Sequence, residues 1–230
     1  MTKPMRVVMM TIGCGLAVFA AQSAVADAPE SVDELVEMLA SDDGAVRLEA
    51  RNHAADFGPE AVGPVTGLFD HDNRNVYIAA KWSLRNMAHH SARPDAEEAE
   101  QAAMAEALAE LLDEDQPERV VHEALYLLGL CGTADQVPAI AEWLNDPATV
   151  DAAAAALIRI PGDAGLEAML DAVEDAEGDV AVSLIHAIAQ EEGAAARDRL
   201  EELAESDDDT IAEAAAKALS IRDLRVDYEG

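Results

Sequence analysis

Five side chains stand out by type and spacing: Arg47, Arg51, Tyr77, Lys81 and Arg85. They lie in a chain with 15 Lys and Arg against 47 Asp and Glu, a formal net charge of −32 over 230 residues. Together with Arg74 and Arg93, these cations gather in positions 47–93. Arg47 and Arg51 are one helical turn apart, and so are Tyr77, Lys81 and Arg85. Arg and Tyr are favoured at binding hot spots. The grouping predicts a docking patch for an acidic segment or carboxylate of a partner. A plainer reading is that the cations offset nearby acids such as Glu49 and Asp56. Trp82, beside Lys81, adds stacking area to the patch if it is exposed, but its helical position reads as core.

Other chemistry is sparse. His53, His71, His89 and His90 are side chains that can bind zinc or copper. Their spacings match no ligand motif, and they read as surface polar residues. His122 and His186 stand alone on helices. Asp207, Asp208 and Asp209 lack the alternating ligands and glycine of a calcium loop. No nucleophile elbow, phosphate loop, zinc-protease motif or dinucleotide fingerprint occurs. The expectation is therefore no catalytic residue, no metal site and no cofactor. Cys131, in the run Leu128, Gly129, Leu130, Cys131, Gly132, reads as a small buried residue. The acidic balance excludes a general nucleic-acid binder, because displacing counterions from phosphates needs a basic surface. It disfavours an anionic membrane surface for the same reason. Half the chain is hydrophobic, too much for simple disorder, yet only 3% is aromatic.

The amino terminus reads as a targeting segment. Lys3 and Arg6 precede an apolar stretch at 7–21, and Ala24, Val25 and Ala26 fit the small-x-small rule for signal peptidase. The reading is a signal peptide over 1–26, cleaved before Asp27, and an exported protein in the periplasm or outside the cell. Two alternatives remain open. Residues 7–26 are just long enough to span a bilayer uncleaved, and Ile12, Gly13 and Cys14 faintly resemble a lipoprotein box. No other stretch is long and apolar enough to cross a membrane. Without Cys14 only Cys131 remains, so no intramolecular disulfide can form and stability must come from packing.

The elements that must position the patch follow from a repeat. Branched residues recur at Val46, Val76, Val120, Val150, Val180 and Ile211, spaced 30, 44, 30, 30 and 31 apart. Four positions after these anchors come Ala50, Ala80, Ala124, Ala154, Leu184 and Ala215. Eight positions after come Ala54, Leu84, Leu128, Ile158, Ile188 and Leu219. Apolar residues at i, i+4 and i+8 make one stripe of a helix. A second stripe precedes each anchor, as in Leu35, Met38 and Leu39 or Leu108, Leu111 and Leu112. Acidic turns separate the stripes, and their Asp, Asn and Ser residues suit the N-cap of the second helix. Gly58 with Pro59, Gly132, Pro161 with Gly162, and Gly193 end the units.

Each unit is helix, acidic turn, helix and breaker, and stacking six units buries both stripes. The pattern resembles HEAT repeats, in the short alanine-rich form first recognised in phycobilin lyases. The resemblance covers about 31–221 and implies an all-α fold, an α-solenoid of about six helix pairs. The domain is expected over 27–222, with a polar, fraying tail at 223–230. The 44-residue spacing marks an insertion at about 89–103, with a loop at 89–94 and an extended first helix in the third unit. The resemblance further implies a concave face built from second helices. The combined expectation is an exported, non-enzymatic scaffold or protein-binding module whose partner is another protein or peptide. The alternative that the resemblance implies is a lyase or chaperone-like protein for a tetrapyrrole, a bilin or haem.

Overall fold

Ser31 opens the first helix by accepting a hydrogen bond from the Glu34 amide at 3.2 Å. The Glu34 side chain reaches back to the Glu30 amide at 2.8 Å. The computed structural model describes residues 27–229, so the targeting segment read at 1–26 lies outside the described residues. Within them the chain is an α-solenoid of six helix pairs, without strands. The pairs are α1 (Val32–Ala40) with α2 (Gly44–His53), then α3 (Val62–Thr66) with α4 (Arg74–Ser91), then α5 (Glu98–Ala109) with α6 (Glu118–Cys131). They continue with α7 (Val137–Ala141) and α8 (Val150–Leu157), α9 (Ala164–Asp175) and α10 (Gly178–Ile188), and α11 (Ala194–Leu203) and α12 (Asp209–Glu229). Two first helices, α3 and α7, are short and flanked by 3₁₀ turns. Around α3 the cause is Gly58, with φ of 60°, followed by Pro59, Pro64 and Gly67.

The repeat register shows directly in the burial. All six residues four positions after the anchors are buried: Ala50, Ala80, Ala124, Ala154, Leu184 and Ala215. Consecutive second helices pack side by side from α2 to α12. Five of the six residues at that fourth position are alanine, small enough to permit a close approach between helices. Val76, Val120, Val150 and Val180 are buried, whereas Val46 and Ile211 are only half-buried. These two belong to the terminal units, which have a neighbour on one side only. The preceding stripe contributes Leu35, Leu39, Val65, Phe69, Leu108, Leu111, Ile140, Leu144, Met169, Val173 and Leu200 to the same continuous core.

The acidic turns cap unevenly. Asp43 accepts from the Ala45 amide at 2.8 Å, Asn73 from Asn75 at 3.0 Å and Asp208 from Thr210 at 2.8 Å. Asp113 and Asp146 instead brace the turn before the helix, and Pro117 and Thr149 occupy the cap positions of α6 and α8 without a side-chain bond. The fifth turn uses Gly178, with φ of 55°, a left-handed residue beyond the breakers predicted above.

The insertion is placed differently from the expectation. It lengthens α4, the second helix of the second unit, to 18 residues, so His89 and His90 lie in its last turn rather than in a loop. α5 starts only at Glu98, with Glu97 and not Asp95 at its cap. Arg93 fastens the new junction, donating to both carboxylate oxygens of Glu100 at 2.6 and 3.0 Å and to the His90 carbonyl at 2.7 Å. The expected tail at 223–230 is not a separate segment, since α12 runs through Glu229.

Candidate functional site

Two of the five residues singled out above, Lys81 and Arg85, converge on a carboxylate, and a third, Tyr77, lies beside them. Glu123 sits on α6 at the third position after Val120 and is only 5% exposed. Corresponding positions on α4 and α8 hold Ala79 and Ala153, both buried, so the fold itself does not call for an acid there. The Arg85 guanidinium meets Glu123 in a two-point fork, Nε to Oε1 at 2.6 Å and Nη2 to Oε2 at 3.1 Å. Lys81 Nζ reaches Oε2 at 2.9 Å. The Glu123 carboxylate beside it holds the Arg85 guanidinium above its ordinary value, and so firmly charged. Tyr77 lies next to this node. Its ring stands 6.0 Å from Lys81 Nζ and packs edge-on against Phe69 at 5.2 Å.

Above the node the surface is aromatic and cationic. Trp82 is 49% exposed, which corrects its reading as core: the sixth position after an anchor faces solvent in α4 and in α6. Tyr126 holds that position on α6 and is also exposed. Arg85 lies between them, 5.8 Å from the Trp82 ring and 4.6 Å from the Tyr126 ring. Arg159, beyond the end of α8, also approaches the Tyr126 ring, at 5.8 Å. Ile78 on α4 and Leu48 on α2 are also exposed along this layer. From Arg159 an open groove of about 310 Å³ continues between α8 and α10, bounded by Asp151, Ala155, Ser183, His186 and Gln190.

Arg47 and Arg51 stay out of this cluster. Arg47 donates to the Ser41 carbonyl and so helps end α1. Arg51 makes no side-chain ion pair among the described residues, and its backbone carbonyl accepts from Asn86 at 3.3 Å. Neither of them neutralises Glu49 or Asp56. The side chain beside both acids is His53, with Nε2 3.2 Å from Glu49 and Nδ1 3.0 Å from Asp56. The Asp56 carboxylate, with Glu49, holds the His53 imidazole above its ordinary value. Among the described residues no group of three His, Cys, Asp or Glu is placed to hold a metal ion. Cys131 is fully buried, its Sγ directed at the Leu127 carbonyl, and burial pushes the thiol up to about 11.

No protein-family model matches the chain, and no curated protein matches it. Solved structures align with it at low identity. A designed armadillo repeat protein is 21% identical over 83% of this chain and 99% of its own, with a TM-score of 0.37. The archaeal HEAT-like repeats protein from Thermococcus onnurineus is 13% identical over 86% of this chain and 99% of its own, at 0.39. Human deoxyhypusine hydroxylase in complex with glycerol is 14% identical over 86% of each chain, at 0.46. At these scores they carry no argument about site or activity, and the solenoid rests on the helices described above.

Glu123, Tyr126 and Arg159 were absent from the sequence-derived patch. Glu123 is one acid among 47, and only its register, a position held by alanine on either side, sets it apart. Tyr126 shares the sixth position with Trp82, and Arg159 shares the ninth with Arg85. The same anchor count that defined the core contained that signal.

Proposed function

We propose that the protein is an exported, non-enzymatic scaffold that binds a segment of another protein on the face of its second helices. The centre of that surface is Trp82, Arg85, Tyr126 and Arg159, over the floor made by Tyr77, Lys81 and Glu123. The observation that carries this reading is the pair of exposed aromatic rings interleaved with two guanidinium groups. The chain has only 2 Trp and 3 Tyr, and one of each is spent on neighbouring solvent-facing positions where the fold does not use them. Aromatic and arginine side chains are the usual anchors of protein interfaces. Arg51 and Leu48 extend the surface toward α2. Among the described residues no helix is long and apolar enough to cross a membrane. The tetrapyrrole alternative draws on the resemblance alone.

Capture of partners from the exported fraction of the host, with the Trp82→Ala, Tyr126→Ala double variant as control, tests the binding surface. The variant is expected to lose the partner at an unchanged melting temperature, and retention at the wild-type level overturns the reading. Export has its own test. Mass spectrometry of the native protein is expected to find a chain beginning at Asp27, and a full-length chain in the membrane fraction contradicts it.

A further inference from the structure

We propose that Arg159, backed by Tyr126, receives a side-chain carboxylate from an extended internal segment of a partner protein lying in the groove between α8 and α10. The inference rests on the scaffold reading and names the chemistry of its occupant.

Arg159 is exposed and makes no ion pair among the described residues, in a chain with three acids for every base. Arg85 pairs with Glu123, Arg93 with Glu100 and Arg119 with Asp70, whereas Arg159, like Arg51 and Arg74, has no ion pair among the described residues. Nor is Arg159 a loose surface side chain. A Cβ at Gly129 would stand 3.3 Å from Arg159 Cδ and 3.1 Å from Ala156 Cα. The ninth position after the anchor is Arg85 on α4 and Arg159 after α8, but Gly129 on α6. The glycine makes room for α8 to approach and for the Arg159 stem to lie across α6. The Tyr126 ring then flanks the guanidinium at 5.8 Å. A cation held this way loses little freedom when it meets a carboxylate.

The groove specifies the rest of the occupant. At about 310 Å³ it is at the small end of ligand sites. It suits a few residues of extended chain and not a helix about 10 Å across. Ser183, His186 and Gln190 on its α10 side offer donors and acceptors to a peptide backbone. Charge sets the number of acids. In the groove Arg159 is offset by Asp151 alone, inside a field of −32. A strongly acidic partner is repelled by the molecule as a whole, while a neutral or basic segment with one Asp or Glu is admitted and oriented.

The test is a selection of short random peptides, displayed as internal segments, against the protein purified from cells expressing the full chain. Selected sequences are then synthesised with blocked ends and their affinities measured. The expected result is a shared Asp or Glu. Changing it to Gln in the peptide and changing Arg159→Gln in the protein each weaken binding about tenfold, and both together weaken it no more than either alone. Additive losses, selected peptides without an acid, or binding only by versions with a free C-terminal carboxylate overturn the inference. Peptides lost on Trp82→Ala with Tyr126→Ala but indifferent to Arg159→Gln overturn it while leaving the scaffold reading standing. A selection that enriches nothing overturns both.

Discussion

The second helices of units two and three, α4 and α6, share a register with those of units four and five, α8 and α10, yet present different surfaces. Beneath, the two regions match. Ala80 and Ala124 in the first and Ala154 and Leu184 in the second are all buried four positions after their anchors. Outward, they part. The sixth position is Trp82 and Tyr126 in the first region, but a buried Ala156 and an exposed His186 in the second. The third position is Glu123 on α6, where α8 has Ala153. One region is a ridge of rings and cations over a buried ionic node, and the other is a small-residue groove that begins where the ridge ends. Stacking constrains the inward positions alike in every unit, so the outward differences are where binding chemistry can be written without disturbing the fold.

The largest effects should ignore this difference. Ala124→Asp and Ala154→Asp each drive a charge into the packed layer, one in each region. Each is expected to cost on the order of 4 kcal/mol, or to prevent folding, in urea titrations. If one of the two melts like the parent, the regions do not share a register. Next comes the ionic node, which only the first region has. Lys81→Ala with Arg85→Ala strands a carboxylate that is 5% exposed, and about 3 kcal/mol should be lost. Glu123→Ala strands cations that are 31% and 25% exposed and can turn to water, so it should cost only about 1 kcal/mol. The opposite order would mean that burial of the carboxylate is not what makes the node costly to break.

That ordering also explains what could be read from the sequence. The core positions were legible because they repeat: six copies of one constraint rise above the noise of any single residue. The half-buried Val46 and Ile211 departed from the pattern because the ends of a stack lack one neighbour, which periodicity does not encode. Which helix absorbs the insertion was not legible either. Both the end of α4 and the start of α5 favour helix, and the choice falls to Arg93 and Glu100, whose pairing spans the junction. Of the patch, Tyr77, Lys81 and Arg85 came together, but the acid that Lys81 and Arg85 share did not stand out among so many. Trp82 lies outward although its helical position reads as core, because the sixth position faces solvent on both α4 and α6.

Smaller effects fall on the ridge. Trp82→Ala and Tyr126→Ala remove side chains that are 49% and 36% exposed and lie outside the core, so each should change stability by less than about 1 kcal/mol while weakening partner binding. A large fall in melting temperature for either would make the ridge structural and erase the functional contrast between the regions.

The smallest perturbation uses Cys131, which ends α6 at the boundary between the two regions. Its thiol is fully buried and held up to about 11. At pH 8 about a thousandth of it is thiolate, against a far larger share in the unfolded chain. Alkylation in native buffer should therefore be slow and should proceed only through opening of the structure. Each unit of a solenoid is held mainly by its neighbours, so opening can stop at a boundary. The Arg85 and Glu123 node ties α4 to α6, while α6 meets α8 through small residues at Gly129 and Ala156. If the regions separate there, Cys131 should label at a urea concentration below the global loss of helical signal. Lys81→Ala with Arg85→Ala should narrow that gap by weakening the first region. Labelling that tracks the helical signal at every urea concentration would show instead that the two regions open as one unit, alike in cooperativity despite their different faces.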